Sequence, residues 1–326
     1  MRQARWLAPW KDSAEKPAIY HCISRVVDRR FVFGDVEREH FRMFMRMQEN
    51  FAGCRVLSYC VMSNHFHILL EVPPMAEGGI SDEELLKRLS ATNTEAFVAV
   101  VAKELVDARA VGCAARVEEI HARFTYRMHN LSEFMKTLLQ RFTRWFNRTH
   151  NRSGTLWEER YKSVIVESGV AARTMAAYID LNPVRAGMVT DPAEYRWSSY
   201  GEAVGGGPKG NGKKAREGLV RACMSHQGAG FESEKWKYVS RIYRRTMGVA
   251  LGKKSGRAEP GVSPVVTKNT EEMLASKDNE TMLPDIRMAG MLRHRVRYFT
   301  DGAVIGSKAF VNEAFAATRE RFTVKR

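Results

Sequence analysis

The chain has little cysteine and uses it without pattern. Cys22, Cys54, Cys60, Cys113 and Cys223 form no CxxC pair and no zinc-ligand rhythm, and five thiols cannot all pair. They read as free thiols of a reducing cytoplasm, which excludes a disulfide framework. Acidic residues are short too: 37 Asp and Glu face 52 Lys and Arg, leaving a formal charge of +15. Such a surplus points to a polyanionic partner, because basic side chains that neutralise phosphates release counterions. No apolar run reaches the length of a bilayer span. The opening stretch, MRQARWLAPWKDSAEKP, has no signal-peptide core. The expectation is a cytoplasmic, nucleoid-associated protein with no membrane partner. There is no GxxxxGK[ST] loop, which argues against an attached nucleotide-driven motor, and there is no internal repeat.

What is present suits a globular protein: 44% hydrophobic and 27% charged residues over 326 positions. Strand signals fall at 18–27, 55–62, 65–72 and 160–167, where β-branched and aromatic residues cluster between breakers. Helical periodicity appears at 35–52, with Asp35 able to cap it, at 131–147, and at 170–181, where Asn182-Pro183 stops it. The first six of these elements follow the order strand, helix, strand, strand, helix, strand. That order predicts an α+β fold, a ferredoxin-like antiparallel sheet with helices on one face. Residues 75–130, rich in Ala, Glu, Lys and Arg, read as a helical insertion of two or three helices. Residues 201–218 carry seven glycines and several lysines, a linker composition. A basic accessory extension, 219–326, would follow, helical at 231–251, flexible at 252–285 and ordered again in the tail, where Ser307 can cap the last helix.

Three constellations could carry chemistry. His65-Phe66-His67 lies on a strand, so both imidazoles leave one face and Phe66 the other. Two histidines on a rigid strand make half a site for a divalent ion, though HxH also occurs by chance. Tyr178 and Asn182 stand four apart on a helix, hence on one side of it. They offer a phenol and an amide oxygen suited to a hard cation, or else a buried tyrosine and a helix-capping asparagine. Arg141, Arg144, Trp145, Arg148, Arg152, Trp157, Arg160, Tyr161 and Lys162 interleave cations and aromatics. That mixture suits unpaired nucleic acid strands, although Trp145 reads more readily as core and charged helix faces are usually just solvated.

Three blocks, VMSNHFHILLEV, GTLWEERYKSVIVES and YIDLNPVRAGMV, occur in this order. Together they resemble the single-tyrosine HUH transposases, and most of all the branch of REP-associated tyrosine transposases and IS200-like relatives. The resemblance spans about residues 17–200. It implies a catalytic domain there, a metal site formed by His65, His67 and Asn182 holding Mg²⁺ or Mn²⁺, and Tyr178 as the nucleophile that attacks a DNA phosphate. The implied substrate is single-stranded or hairpin DNA, with Arg141, Arg144, Arg148, Arg152, Trp157, Arg160, Lys162 and Arg185 as candidate DNA contacts. A homodimer is a further partner to be expected, with the tyrosine serving either its own subunit or the other. Asn182 departs from the glutamine of mobile-element members. The insertion is long and, next to the catalytic strand, suggests a cover or a DNA guide. Competing readings are a replication-initiator-like nicking enzyme and a nucleic-acid-binding regulator that has lost the reaction.

Overall fold

The computed structural model describes residues 6–205, 212–224, 233–252 and 302–323. Strand β1 (Ala18–Arg25) leads into helix α1 (Asp35–Ala52), then β2 (Arg55–Val61) and β3 (His65–Val72). The insertion follows as α2 (Asp82–Ser90), α3 (Glu95–Ala110) and α4 (Ala114–Thr125). Helix α5 (Leu131–Thr149) and strand β4 (Lys162–Val166) complete the six-element unit. The sheet order is β2-β3-β1-β4, every neighbour antiparallel, as a ferredoxin-like unit requires. Helix α1 has the expected bounds, but Asp35 is not its cap. Gly34 precedes the first turn, and the Glu37 side chain, not Asp35, accepts the Gly34 N–H at 2.8 Å. Gly53 ends α1 at φ 68°, a left-handed position that glycine takes without a Cβ clash.

Helices α1 and α5 lie together on one face of the sheet. Phe41, Phe66 and Phe142 meet there, with ring centroids 4.6 Å apart for Phe41–Phe66 and 5.2 Å for Phe41–Phe142. The other face is covered by α6 (Val170–Asp180), the one-turn α7 (Asn182–Arg185), α8 (Ser199–Gly205), α9 (Gly212–Met224) and α10 (Ser233–Gly252). Helices therefore flank both sides, the second set contributed by segments beyond the six-element unit.

The expected linker over 201–218 is corrected by this second layer. Its described residues lie in α8 and α9, while 206–211 fall outside the described residues. Glycine serves close approach here: a Cβ on Gly201 would collide with the Tyr195 carbonyl, and one on Gly218 with the Val56 carbonyl in β2. Composition alone cannot separate a glycine that frees the chain from one that lets two backbones touch. The region expected to be flexible, 252–285, lies outside the described residues from 253 onward.

A fifth strand, absent from the sequence reading, comes from the far end of the chain. β5 (Val304–Ile305) pairs with β4 in parallel. Helix α11 (Lys308–Thr323) follows, and Ser307 caps it as expected, its Oγ accepting the Phe310 N–H at 3.2 Å. α11 closes over the N-terminal segment through Trp6–Phe315 and Trp10–Phe310, both at 5.4 Å between centroids.

The insertion sits away from the histidines. It begins after Val72, whereas His65 opens β3, and seven residue steps of roughly 3.3 Å separate the two ends by about 23 Å. Its helix α2 packs beside α1, and Arg88 reaches His129 at 3.1 Å near the end of that helix. The first of these helices thus packs on α1, on the side of the sheet opposite the histidine pair, and does not cover that pair. Among the described residues no helix is long and apolar enough to cross a membrane.

Candidate active site on the polar face of the sheet

Strand pairing decides which side chains meet. Ile23 stands opposite His67 and Arg25 opposite His65, so β1 presents His21, Ile23 and Arg25 on the face that holds both histidines. Ile23 also stands opposite Lys162, which puts that lysine on the same face. Ser24 and Phe66 pair on the other side. The sequence reading missed His21 and Arg25. The alternation in AIYHCISR makes them face-mates, but only the register brings them to His65 and His67.

Helix α6 lays Tyr178 over this face. Its ring meets His67 edge-on at 5.8 Å and His21 at 6.0 Å. Tyr178 is 2% exposed. The Arg185 guanidinium lies 4.9 Å from the centre of the Tyr178 ring, and its Nη1 donates to the Tyr178 carbonyl at 3.3 Å. Burial lowers the pKa of Arg185, with Tyr178 acting in the opposite sense. Asn182 donates from Nδ2 to the carbonyls of Tyr178, at 3.0 Å, and Ile179, at 3.2 Å. The capping role open in the sequence is thus filled by its nitrogen. The amide oxygen is the atom that could meet a cation.

The two histidines of β3 are held in place. His65 Nδ1 lies 2.7 Å from Asn64 Oδ1. Asn64 donates its own Nδ2 to the Arg29 carbonyl at 2.8 Å, which fixes which end of the amide faces the ring. His65 therefore carries its proton on Nδ1, and Nε2 keeps its lone pair. His67 Nδ1 lies 3.0 Å from His21 Nε2, with the ring centroids 5.2 Å apart and the ring planes 13° from parallel. Burial, with the Arg25 charge adding to it, pushes His65 down to about 4. His67 is held well below the ordinary imidazole range by burial first, then by His65, His21, Arg25 and Arg185. Both rings are neutral at physiological pH, the form that ligates metals. Among the described residues no three His, Cys, Asp or Glu side chains gather as a metal cluster, so a site here would need donors of another kind, such as the Asn182 amide.

Helix α6 is anchored from behind. Asp180, fully buried, accepts the Tyr243 hydroxyl of α10 at 2.6 Å and the Tyr200 N–H at 3.0 Å. Burial pushes its carboxyl up to about 7, against those hydrogen bonds.

The candidate DNA contacts divide between the two faces. Arg185 and Lys162 belong to the polar face. Arg160, just before β4, is exposed. Arg141, Arg144 and Arg148 ride on α5, with the sheet between them and Tyr178; Arg141 sits 5.3 Å over the Phe44 ring, while Arg144 and Arg148 are exposed. Arg152 is tied to the Asn147 side chain and the Thr155 carbonyl. Trp157 is corrected outright as a base-stacking platform. It is 9% exposed, packs against Phe66 at 5.5 Å and donates its indole N–H to Thr143. Trp145 stacks on His40 at 4.0 Å and is half-buried.

A search of curated proteins finds no match to this chain. A solved structure of a REP-associated tyrosine transposase bound to a REP hairpin is similar at 11% identity and a TM-score of 0.39, over 63% of this chain and 85% of that one. Residues 15–82 match the family model described as "Transposase IS200 like". That stretch runs from β1 into α2 and contains His21, Asn64, His65 and His67. Over these residues the chain is similar to the IS200-like transposase family.

Proposed function

We propose that the protein cuts and rejoins single-stranded, hairpin-forming DNA, with Tyr178 as the attacking group and Mg²⁺ or Mn²⁺ held by His65, His67 and Asn182. The observation that carries this reading is the Tyr178 ring against His67 on the polar face of the sheet. The donors suit such an ion: two neutral imidazoles on a rigid strand and an amide oxygen one helical turn beyond the tyrosine. When bound, a divalent ion polarises a phosphate oxygen and offsets the negative charge that grows during attack.

The chain's own residues account for the remainder. The Tyr178 oxygen forms a bond to phosphorus, and the bond from phosphorus to the 3′ oxygen breaks. The departing oxygen takes up a proton and becomes a 3′-hydroxyl, while the phenolic proton passes to water. The product is a 5′-phosphotyrosine. One phosphate ester replaces another, so attack by a 3′-hydroxyl reverses the step without an external energy source. Arg185 beside the phenol, with Lys162 and Arg25 on the same sheet face, supplies positive charge for the backbone phosphates. The packing of α6 on β2 and β3 of its own sheet supports a reading in which Tyr178 serves the histidines of its own chain.

The test uses the full chain with 3′-labelled single strands and hairpins from the DNA flanking its gene, in Mn²⁺, resolved on a denaturing gel. A covalent shift is expected, absent with Tyr178→Phe and absent in EDTA. An adduct on the peptide containing Tyr161, or undiminished adduct from Tyr178→Phe, would overturn the assignment. Tight hairpin binding with no adduct under either ion would mark a regulator that binds without cutting.

A further inference from the structure

We infer that His21 is a positioning residue that accepts the Nδ1 proton of His67 and so turns the His67 Nε2 lone pair toward the ion-binding side of the site. The inference rests on the metal reading above.

The two histidines of β3 are handled alike. His65 gives its Nδ1 proton to the Asn64 amide oxygen at 2.7 Å, and the direction of that bond is settled by the contact of Asn64 with the Arg29 carbonyl. At His67 the same atom, Nδ1, meets His21 Nε2 at 3.0 Å. The ring planes lie 13° from parallel, and centroids 5.2 Å apart with the nitrogens 3.0 Å apart place both nitrogens nearly in line between the ring centres, so the contact runs edge to edge, where the nitrogen lone pair and proton both lie. Between two neutral imidazoles one nitrogen must donate and the other accept. If His67 donates, its Nε2 is left with a lone pair, and both β3 histidines offer the same atom. If His21 donates, His67 holds its proton on Nε2 and cannot ligate through it.

The setting makes this contact hard to replace. His21 is 0% exposed and His67 3%, so water cannot readily stand in for the missing partner. The strands fix the geometry, since Ile23 is paired to His67 and His21 lies one alternate residue along β1 on the same face. Metal-ligating histidines generally bond their other ring nitrogen to an oriented partner, and loss of that partner costs roughly 10–100-fold in metal affinity. His21 would fill that role with an imidazole, where His65 has an amide.

The experiment takes full-length protein without metal and compares wild type, His21→Leu and His21→Gln. Leucine fills the space without an acceptor; glutamine restores an acceptor oxygen at similar reach. Three measurements are made on each: ¹⁵N spectra of the histidine rings, Mn²⁺ affinity by calorimetry, and hairpin binding in EDTA. In wild type, His67 is expected to show a protonated Nδ1 and a bare Nε2. His21→Leu should weaken Mn²⁺ binding about 10–100-fold, and His21→Gln should recover most of that loss. Hairpin binding in EDTA should be the same in all three. A protonated Nε2 on wild-type His67, or equal Mn²⁺ affinity in wild type and His21→Leu, would overturn the inference. Wild type that takes up no Mn²⁺ would sink the metal reading instead, and the ring spectra would still decide who donates to whom. If His21→Leu does not fold, the wild-type spectrum and His21→Gln carry the decision.

Discussion

On one side of β3, Phe66 is wedged among Phe41, Phe142 and Trp157, and the only polar ring atom in that group, the Trp157 indole N–H, is satisfied by Thr143. One residue either way along the same strand, His65 and His67 face Tyr178, His21, Arg25 and Arg185. The first side is held by shape and dispersion, so a change in volume there is felt as lost stability. The second is held by specific hydrogen bonds, and under the proposed function a change there is felt in chemistry. The fold thus separates its two tasks by the pleat of one strand.

The sharpest way to break this contrast is to exchange neighbours on β3. Phe66→Ala should cost about 3–5 kcal/mol of stability, the range for emptying a buried aromatic site. His67→Ala should leave most of the stability and remove cleavage. Denaturant melts and the adduct assay read both. A His67→Ala protein as unstable as Phe66→Ala would show that the polar face is core after all.

A smaller effect is expected behind helix α6. Tyr243→Phe removes the hydroxyl that Asp180 accepts at 2.6 Å, and should destabilise by about 1.5–3 kcal/mol, as for hydrogen bonds to charged groups. Asp180 also sets a pH dependence. Its carboxyl is pushed up to about 7 in the folded chain, against about 4 when unfolded. Between those values the folded state holds the extra proton, so stability falls as pH rises from about 4 to 7. Asp180→Asn should flatten that slope in thermal melts across the window. An unchanged slope would mean that Asp180 is not the group responsible. The same anchor predicts that a fragment ending near residue 200, once the natural cut at a glycine-rich boundary, loses the packing of α9 and α10 on α6.

The smallest effect separates the basic residues of the two faces. Lys162→Gln, on the polar face, should reduce the salt dependence of single-strand binding by about 0.7 in the log–log slope if it neutralises one phosphate. Arg144→Gln with Arg148→Gln, on α5 across the sheet, should change it less. The reverse order would place the strand over α5 and reinstate the basic-aromatic lattice as the binding surface.

Residue by residue, the sequence carried some of this and not the rest. The alternation in HFHILLEV was enough to put His65 and His67 on one face and Phe66 on the other, because side chains on a strand alternate whatever surrounds them. Four-residue spacing was enough to put Tyr178 and Asn182 on one side of a helix. Local pattern also located the six elements of the unit, and composition marked the insertion as two or three helices without their bounds. These are local rules, and each needs only a window of chain.

What failed needed contacts between distant segments. Trp157 stands between arginines in sequence, yet its ring goes to the core because Phe33, Phe41, Phe66 and Phe142 converge from four other segments. The glycines of 201–218 looked like freedom and include positions where backbones touch. β5 reaches β4 from some 140 residues away, and two β-branched residues are too short a run to read as a strand. His21 gained its meaning only when the register of β1 on β3 set it beside His67. Local pattern determined which atoms each element could present; pairing and packing, which depend on long-range burial, decided which of them would meet.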